Sequence, residues 1–159
     1  MVFIMPDVGE KAPDFALYDA DRKERRLSEF LVRGRRTIVA FFPGAFTNVC
    51  TQEMCTLRDM YGELEGLRCN VVGISVDAPF AQKAFADKNV LNFPLLCDFK
   101  RETVHRYGVA WNDLGGVVGY VCANRAIFVV DDQGVIRYKW VAPNPGTLPD
   151  FDEIRRALR

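Results

Sequence analysis

The chain has 159 residues, of which 49% are hydrophobic and 26% charged, a composition typical of one globular domain with a hydrophobic core. Its formal net charge is zero, which gives no electrostatic reason to expect a nucleic-acid or anionic-membrane partner. No apolar run approaches the length of a membrane span, and the apolar start at residues 1–5 is too short for a signal-peptide core. We therefore expect a single cytoplasmic domain over residues 1–159.

The five cysteines do not suggest a complete framework of structural disulfides, because their number is odd. In a cytosolic chain, closely spaced cysteines are more often catalytic or metal-binding than structural. Cys50 and Cys55 are the closest pair, but there is no second close pair, and His105 is the only histidine that could help to complete a zinc site. We expect no metal ion and no flavin or haem cofactor.

Residues 13–27 predict a β-hairpin with Phe15, Leu17 and Leu27 directed inward. After it, Ser28 is expected to cap a short helical turn. Seven of the fifteen residues from 22 to 36 are basic, but acidic residues interrupt the run. We interpret this segment as a solvated turn rather than a binding site for anions or nucleic acid.

Two nearly continuous apolar runs, residues 37–42 and 70–76, predict strands that are buried on both faces. Between them, apolar residues recur at steps of four and three, which predicts one helix from about residue 48 to about residue 66. The apolar stripe of this helix consists of Cys50, Met54, Leu57, Tyr61 and Leu64. A strand, a helix and a second strand predict a unit with parallel strands and a right-handed crossover.

The second half of the chain alternates further helices and strands. The elements predicted there are a helix at 79–88, a strand at 93–97, a helix at 101–107, strands at 126–131 and 135–141, and a helix at 150–158. In the first of these helices, Phe80, Ala84 and Phe85 are expected to face inward. The apolar, glycine-rich loop at 108–122 is expected to cover the active site or to form a subunit interface, since a long apolar loop is rarely left uncovered.

The segment between the first buried strand and the long helix carries the chemistry. Pro43 and Gly44 end the strand, and Thr47 is a good N-cap residue, so Cys50 is expected in the first turn of the helix. Free backbone N–H groups and the positive end of the helix dipole favour a thiolate there, and the thiolate is the nucleophilic form of cysteine. The Thr47 hydroxyl can bond the sulfur or the group that the sulfur attacks. The structural alternative is a buried cysteine that only packs on an apolar helix face.

The spacing of Pro43, Thr47 and Cys50 resembles the peroxidatic loop of peroxiredoxins. The segments 8–15, 72–77 and 125–131 add further matches in the expected order, so the likeness extends over most of the chain. The second cysteine, Cys55, resembles the subgroup called bacterioferritin comigratory protein or peroxiredoxin Q. The resemblance implies an α/β thioredoxin-like fold, with a central mixed β-sheet flanked by helices and an N-terminal β-hairpin extension.

The resemblance also implies a thiol-dependent peroxidase that reduces hydrogen peroxide and organic hydroperoxides. Cys50 is the expected peroxidatic residue, and the Arg125 guanidinium is expected to stabilise its thiolate and to bond the peroxide. Pro43 and Thr47 are the further site residues of the matching motif. Glu53, one turn after Cys50, is expected to orient Arg125 rather than to transfer protons. The alternative for Glu53 is an exposed acid that complements the helix dipole.

Attack on peroxide produces a sulfenic acid, which condenses with a nearby thiol, and Cys55 is the leading candidate. Five helical steps place the Cα atoms of Cys50 and Cys55 about 8–9 Å apart, beyond the reach of a disulfide. We therefore predict a regular helix in the reduced protein and local unwinding when the disulfide forms. The alternatives are Cys122 as the resolving residue, or an external thiol.

The remaining assignments are less specific. Cys69 and Cys97 lie in predicted strands and are expected to pack in the core, and His105 is expected at a helix surface. The expected partners are a peroxide, thioredoxin or a similar dithiol reductant, and a second copy of the chain in a homodimer. The competing functions are a one-cysteine peroxidase, a general disulfide oxidoreductase, which normally has a Cys-x-x-Cys motif that is absent here, and a non-enzymatic redox sensor.

Overall fold

The computed structural model of the protein describes residues 4–159. Its strands are β1 (Ala16–Asp19), β2 (Glu24–Arg26), β3 (Arg36–Phe41), β4 (Cys69–Ser75), β5 (Leu95–Cys97), β6 (Ala110–Trp111), β7 (Cys122–Ala123), β8 (Ala126–Val130) and β9 (Ile136–Val141). Its helices are α1 (Leu27–Phe30), α2 (Asn48–Asp59), α3 (Tyr61–Gly66), α4 (Pro79–Lys88), α5 (Glu102–Arg106) and α6 (Phe151–Ala157). No helix within residues 4–159 is long and apolar enough to cross a membrane. The prediction for the apolar start, residues 1–5, falls mostly outside the described residues.

Seven strands form one mixed sheet in the order β2-β1-β5-β4-β3-β8-β9. The pairs β3–β4 and β4–β5 are parallel, whereas β8 is antiparallel to β3 and β9 is antiparallel to β8. The predicted hairpin of β1 and β2 is confirmed, and β1 joins it to the sheet by pairing with β5. The predicted central mixed sheet is therefore confirmed, with the hairpin at one edge.

The central strands are buried on both faces, as their apolar composition predicts. Along β3, Val39 and Phe41 belong to the hydrophobic cluster that includes residues of α1 and α5. Ile38 and Ala40, between them, belong to a second cluster with residues of α2, α3, α4 and α6. Because neighbouring side chains of a strand point to opposite faces, the helices flank the sheet on both sides.

The single helix predicted over residues 48–66 is wrong, because the structure contains two helices, α2 and α3, that meet at Met60. The backbone of Met60 has φ −79° and ψ −2°, which is typical of a helix end rather than a helix interior. This break turns Met60 and Leu64 into the core, while Tyr61, predicted on the apolar stripe, is exposed. A regular repeat of apolar residues in the sequence does not reveal a break at which the helix changes the face that it buries.

Two assignments for the other helices are also wrong. In α4, Phe80 and Ala84 are exposed, and the buried residues are Gln82 and Phe85. The buried Gln82 donates hydrogen bonds from its amide nitrogen to the Ser75 hydroxyl and to the backbone of β5, which compensates the loss of water at that nitrogen.

Ser28 lies inside α1 and does not cap it. The N-cap residue is Arg26, and its backbone N–H donates to the side chain of Glu29 at 3.0 Å. Glu29, three residues after the cap, therefore binds a free N–H group at the start of α1, the role expected of the Ser28 hydroxyl.

The segment 108–122 is more ordered than a loop. Strands β6 and β7 pair with each other, so they close the segment at its base, and a 3-10 turn covers Leu114–Gly116. Cys122 consequently lies in strand β7, not in a loop, and is fully buried. Val117 and Val118 at the tip are 59% and 90% exposed, which leaves an uncovered apolar tip.

Candidate active site

The chain between β3 and α2 forms a tight connection at the end of the sheet. Pro43 and Gly44 are buried, and Phe46 adopts a left-handed backbone conformation with φ 65°. Thr47 occupies the N-cap position of α2, as predicted, but its hydroxyl donates to the carbonyl oxygen of Gly44 at 3.0 Å instead of capping the helix. This bond links residues 44 and 47 within the connection, just before Cys50.

Cys50 is the third residue of α2 and is fully buried. The first backbone bond of the helix runs from Thr51 N–H to the carbonyl oxygen of Thr47, so the N–H groups before Thr51 have no acceptor within the helix. Cys50 lies in this first turn, where the sequence predicts it.

The Arg125 guanidinium contacts Cys50 directly, although the two residues are 75 positions apart: its Nη2 donates to the sulfur at 3.2 Å. The register of the sheet explains the contact. Phe41, the last residue of β3, pairs with Ala126, so Arg125 lies at the end of the sheet from which the chain continues to Cys50. Arg125 is 1% exposed, and its charge therefore has little access to water.

Two acceptors fix the orientation of the Arg125 side chain. Its Nη1 donates to Glu53 Oε2 at 3.1 Å, and its Nε and Nη2 donate to the carbonyl oxygen of Pro145 at 3.2 and 2.9 Å. Since Glu53 is one helical turn after Cys50, the same helix supplies the sulfur and the carboxylate. With Nη1 and Nε occupied, Nη2 is directed toward Cys50.

Glu53 is fully buried, so the alternative of an exposed acid is wrong. Burial raises the pKa of its carboxyl to about 7, although the charge of Arg125 and the hydrogen bond from it act in the opposite direction. Oε2 binds Arg125, whereas Oε1 has no hydrogen-bond partner. A buried ion pair with one unpartnered oxygen favours orientation of the arginine at some cost in stability.

A cavity of about 670 Å³ opens above this cluster. Its lining combines the predicted loop, the arginine and the apolar segment 108–122: Pro43, Thr47, Asn48, Val49, Leu114, Gly115, Val117, Tyr120, Arg125, Pro145 and Gly146. Part of the segment 108–122 therefore lines the cavity over the site, which is one of the two roles that the sequence suggested for it. Cys50 does not line the cavity itself, but it contacts Arg125, which does.

Cys55 lies away from this cluster. It is half-buried, and its thiol donates to the side-chain oxygen of Asn89 at 3.7 Å. Helix α2 is continuous from Asn48 to Asp59, and Cys50 and Cys55 are both free thiols. A helix of this geometry keeps the two sulfurs apart, as the spacing of five residues predicts.

The other cysteines are buried in or beside the sheet. Burial raises the pKa of Cys69 and Cys97 to about 12, in keeping with the core packing expected for both. Burial, together with the nearby Cys50, raises the pKa of Cys122 to about 11. His105 is exposed on α5, and no group of three or more potential metal ligands is found in residues 4–159.

Sequence reasoning missed three features of this region. The carbonyl oxygen of Pro145 and the contact of Asn89 with Cys55 had no signal, because a backbone acceptor and a distant amide leave no local pattern. The third feature is the role of Asp77, whose carboxylate accepts from the backbone N–H of Ala45; the sequence analysis placed this residue in the matching segment 72–77 but predicted no contact with the loop.

The chain matches the model of the AhpC/TSA family over residues 8–139. It is 42% identical over 130 residues to the Mycobacterium tuberculosis (strain H37Rv) protein named "Putative peroxiredoxin Rv2521", covering 80% of each chain. It is 37% identical over 131 residues to Peroxiredoxin Bcp of Escherichia coli (strain K12), covering 82% of each. The crystal structure of peroxidoxin BcpB from M. tuberculosis matches with a TM-score of 0.79 and 29% identity, covering 95% of this chain and 93% of that one.

The chain therefore belongs to the AhpC/TSA family, whose members here are peroxiredoxins, and the thioredoxin-like fold is confirmed. Its likeness to the Bcp proteins makes it a Bcp-like peroxiredoxin, as the motifs of the sequence implied. It is a thiol-dependent peroxidase, an oxidoreductase that takes a peroxide as oxidant and a thiol as reductant.

Proposed function

We propose that Cys50 is the peroxidatic residue and that its thiolate attacks the terminal oxygen of the peroxide. An S–O bond forms and the O–O bond breaks. The sulfur loses two electrons and becomes a sulfenic acid, and the departing oxygen takes up a proton to leave as water or an alcohol. The observation that supports this assignment is the 3.2 Å contact between Arg125 Nη2 and the Cys50 sulfur, made by an arginine that also lines the cavity.

The groups around Cys50 have separate roles in this proposal. Arg125 and the free N–H groups of the first turn stabilise negative charge, first on the sulfur and then on the departing oxygen. The Thr47 hydroxyl donates to Gly44, so its oxygen remains able to accept a hydrogen bond from a peroxide O–H. Glu53 orients Arg125, and Pro43 shields the site from water, which strengthens these interactions.

The cavity supports hydrogen peroxide and organic hydroperoxides as substrates. Its volume of about 670 Å³ is much larger than hydrogen peroxide requires, and apolar side chains form much of its wall. An organic hydroperoxide can place its apolar part against Val49, Leu114 and Val117 while its O–O group reaches Arg125.

We further propose that Cys55 resolves the sulfenic acid. Its thiol attacks the oxidised sulfur of Cys50, an S–S bond forms and water leaves. Because α2 is regular in the reduced protein, its turns between the two cysteines must unwind for the sulfurs to meet. Thioredoxin or a similar dithiol then reduces the disulfide; Cys122 or an external thiol remains the alternative resolving group.

The exposed apolar residues Val117 and Val118 favour a homodimer through this part of the molecule. Sedimentation velocity over a range of protein concentrations tests this part of the proposal: a single monomeric species at all concentrations contradicts it. The cytoplasmic location expected from the sequence stays a prediction.

The central experiment compares the consumption of hydrogen peroxide and cumene hydroperoxide by the wild type and by Cys50→Ser, with dithiothreitol as reductant. We expect the variant to lose measurable turnover with both substrates, because the hydroxyl cannot replace the thiolate. Cys69→Ala, which removes a buried thiol away from the cavity, is the control. Equal rates for the wild type and Cys50→Ser reject Cys50 as the peroxidatic residue.

A further inference from the structure

A second hydrogen-bonded cluster contacts the loop between β3 and α2. The carboxylate of Asp77, two residues after β4, accepts from the backbone N–H of Ala45 at 2.8 Å. The same oxygen, Oδ2, accepts from the Ser75 hydroxyl at 2.6 Å. Ser75 in turn accepts from the side-chain amide of Gln82 at 2.7 Å. The chain Gln82–Ser75–Asp77 thus ends on the backbone that precedes Thr47 and Cys50.

This cluster rests on rigid elements. Ser75 and Gln82 are both 0% exposed, one on β4 and the other on α4. The amide of Gln82 also donates to the carbonyl oxygen of Leu96 on the neighbouring strand. Asp77 itself is half-buried, and its backbone N–H donates back to the Ser75 hydroxyl at 3.2 Å. The carboxylate therefore has a fixed orientation before it meets the loop.

The loop needs such support, because its backbone is strained next to Ala45. Phe46 has φ 65°, a region that bulky residues rarely adopt and that persists only where the surroundings enforce it. On one side of Phe46, Asp77 binds the N–H of Ala45. On the other, Thr47 binds the carbonyl of Gly44, and the ring of Phe46 packs edge-on against Phe85 with the centroids 5.3 Å apart.

Resting on the proposed role of Cys50, we propose that Asp77 is a positioning residue for peroxide reduction. By holding the N–H of Ala45, its carboxylate fixes the path of residues 43–47, and hence the place of the Thr47 oxygen and of the first-turn N–H groups relative to Arg125. Asp77 acts through the acceptor that it offers to Ala45 and not through its negative charge, which opposes a thiolate. Peroxide attack depends on this geometry, whereas simple alkylation of the thiol depends on it much less.

The test compares Asp77→Ala with Asp77→Asn, because the asparagine oxygen can take the place of Oδ2 and still accept from both the Ala45 N–H and the Ser75 hydroxyl. We expect Asp77→Ala to lower the single-turnover rate constant with hydrogen peroxide by about 10- to 100-fold, the loss typical of misplaced reacting groups. In Asp77→Ala, the rate of alkylation by iodoacetamide at the same pH is expected to stay within about threefold of the wild-type rate. In Asp77→Asn, the rate constant with hydrogen peroxide is expected to lie within about threefold of the wild-type value.

Equal losses in Asp77→Ala and Asp77→Asn overturn the proposal, since charge and not the acceptor then matters. A wild-type peroxide rate in Asp77→Ala overturns it as well, and so does a parallel fall of both rates. If Asp77→Ala does not fold, Ser75→Ala takes its place, because it removes the bond that orients the carboxylate; a wild-type peroxide rate in that variant rejects the proposal.

Hydrogen exchange of the peptide that contains Ala45 separates this inference from the proposed function. We expect slow exchange of the Ala45 amide in the wild type and in Asp77→Asn, and faster exchange in Asp77→Ala. If the wild-type protein consumes no peroxide, the proposed role of Cys50 is rejected, but the hydrogen exchange of Ala45 still tests the contact with Asp77. An Ala45 amide that exchanges equally fast in all three proteins rejects the positioning contact.

Discussion

The two thiols of α2 lie on one helix but in opposite surroundings. Cys50 is fully buried and contacts a guanidinium that is held by a carboxylate and a backbone carbonyl. Cys55 is half-buried, and its thiol donates to the neutral side chain of Asn89 at 3.7 Å. A guanidinium hydrogen bond of the first kind favours negative charge on the sulfur, whereas the hydrogen bond to Asn89 involves a neutral amide and is weak.

The same helix also differs in how firmly its two ends are attached. The end with Cys50 is connected to β8 and to the segment around Pro145 through Arg125. The end with Cys55 is attached to the turn after α4, where Asn89 also accepts from the Arg58 side chain at 2.6 Å through its carbonyl oxygen. Disulfide formation therefore requires that either the contacts of Cys50 with Arg125 or the contacts of Cys55 and Arg58 with Asn89 break.

The largest expected effect comes from removing the charge that distinguishes Cys50. Arg125→Ala is expected to lower the second-order rate constant with peroxide by about 10²- to 10³-fold, as for the loss of one fixed donor to a developing negative charge. Stopped-flow measurement of Cys50 oxidation gives this constant. Arg137→Ala, which removes an exposed arginine of β9, is the control. A loss below about tenfold contradicts a direct role for Arg125.

The sequence predicted the arrangement around Cys50 better than that around Cys55, for a physical reason. Apolar runs fixed the adjacent strands β3, β4 and β8, and sheet pairing then places Arg125 near Cys50. The contact of Asn89 with Cys55 depends on how the turn after α4 packs against α2, which no periodic pattern encodes. The break at Met60 and the exposure of Phe80 were missed for the same reason, since both depend on tertiary packing.

The second effect concerns stability and depends on pH. The folded-state pKa of Glu53, about 7, lies above its ordinary value of 4.5 because the carboxyl is buried. The folded protein therefore holds this proton more tightly than the unfolded chain does. The resulting contribution to stability is complete below pH 4.5 and is lost as the pH rises through about 7.

Glu53→Gln removes this titration. We expect the free energy of unfolding of the wild type, relative to that of Glu53→Gln, to fall by up to about 3 kcal/mol between pH 5 and pH 8. Urea unfolding at a series of pH values measures the difference. Glu63→Gln, a change at a carboxylate that is partly exposed on α3, should show no such slope. A constant or rising difference contradicts the raised pKa of Glu53.

A third, smaller effect tests the separation of the two thiols. Cys55→Ser is expected to leave the oxidation of Cys50 by peroxide unchanged within about threefold. Turnover with a dithiol protein as reductant is expected to fall about tenfold or more, because the intramolecular thiol is lost. Mass spectrometry of the peroxide-treated wild type should show a Cys50–Cys55 linked peptide. A Cys50–Cys122 peptide in its place transfers the resolving role to Cys122.

The smallest effect is expected at the contact that holds Cys55 in the helix. Asn89→Ala removes the acceptor of the Cys55 thiol, a bond worth about 0.5–1.5 kcal/mol, so the unwinding of α2 becomes easier. We expect disulfide formation after a single oxidation to become about two- to tenfold faster, as followed by quenching and peptide mapping. Asn89→Asp keeps an acceptor oxygen and is expected to behave like the wild type. If Asn89→Ala forms the disulfide no faster than Asn89→Asp, the contact with Cys55 does not limit this step, and the attachment through Arg58 becomes the constraint to examine.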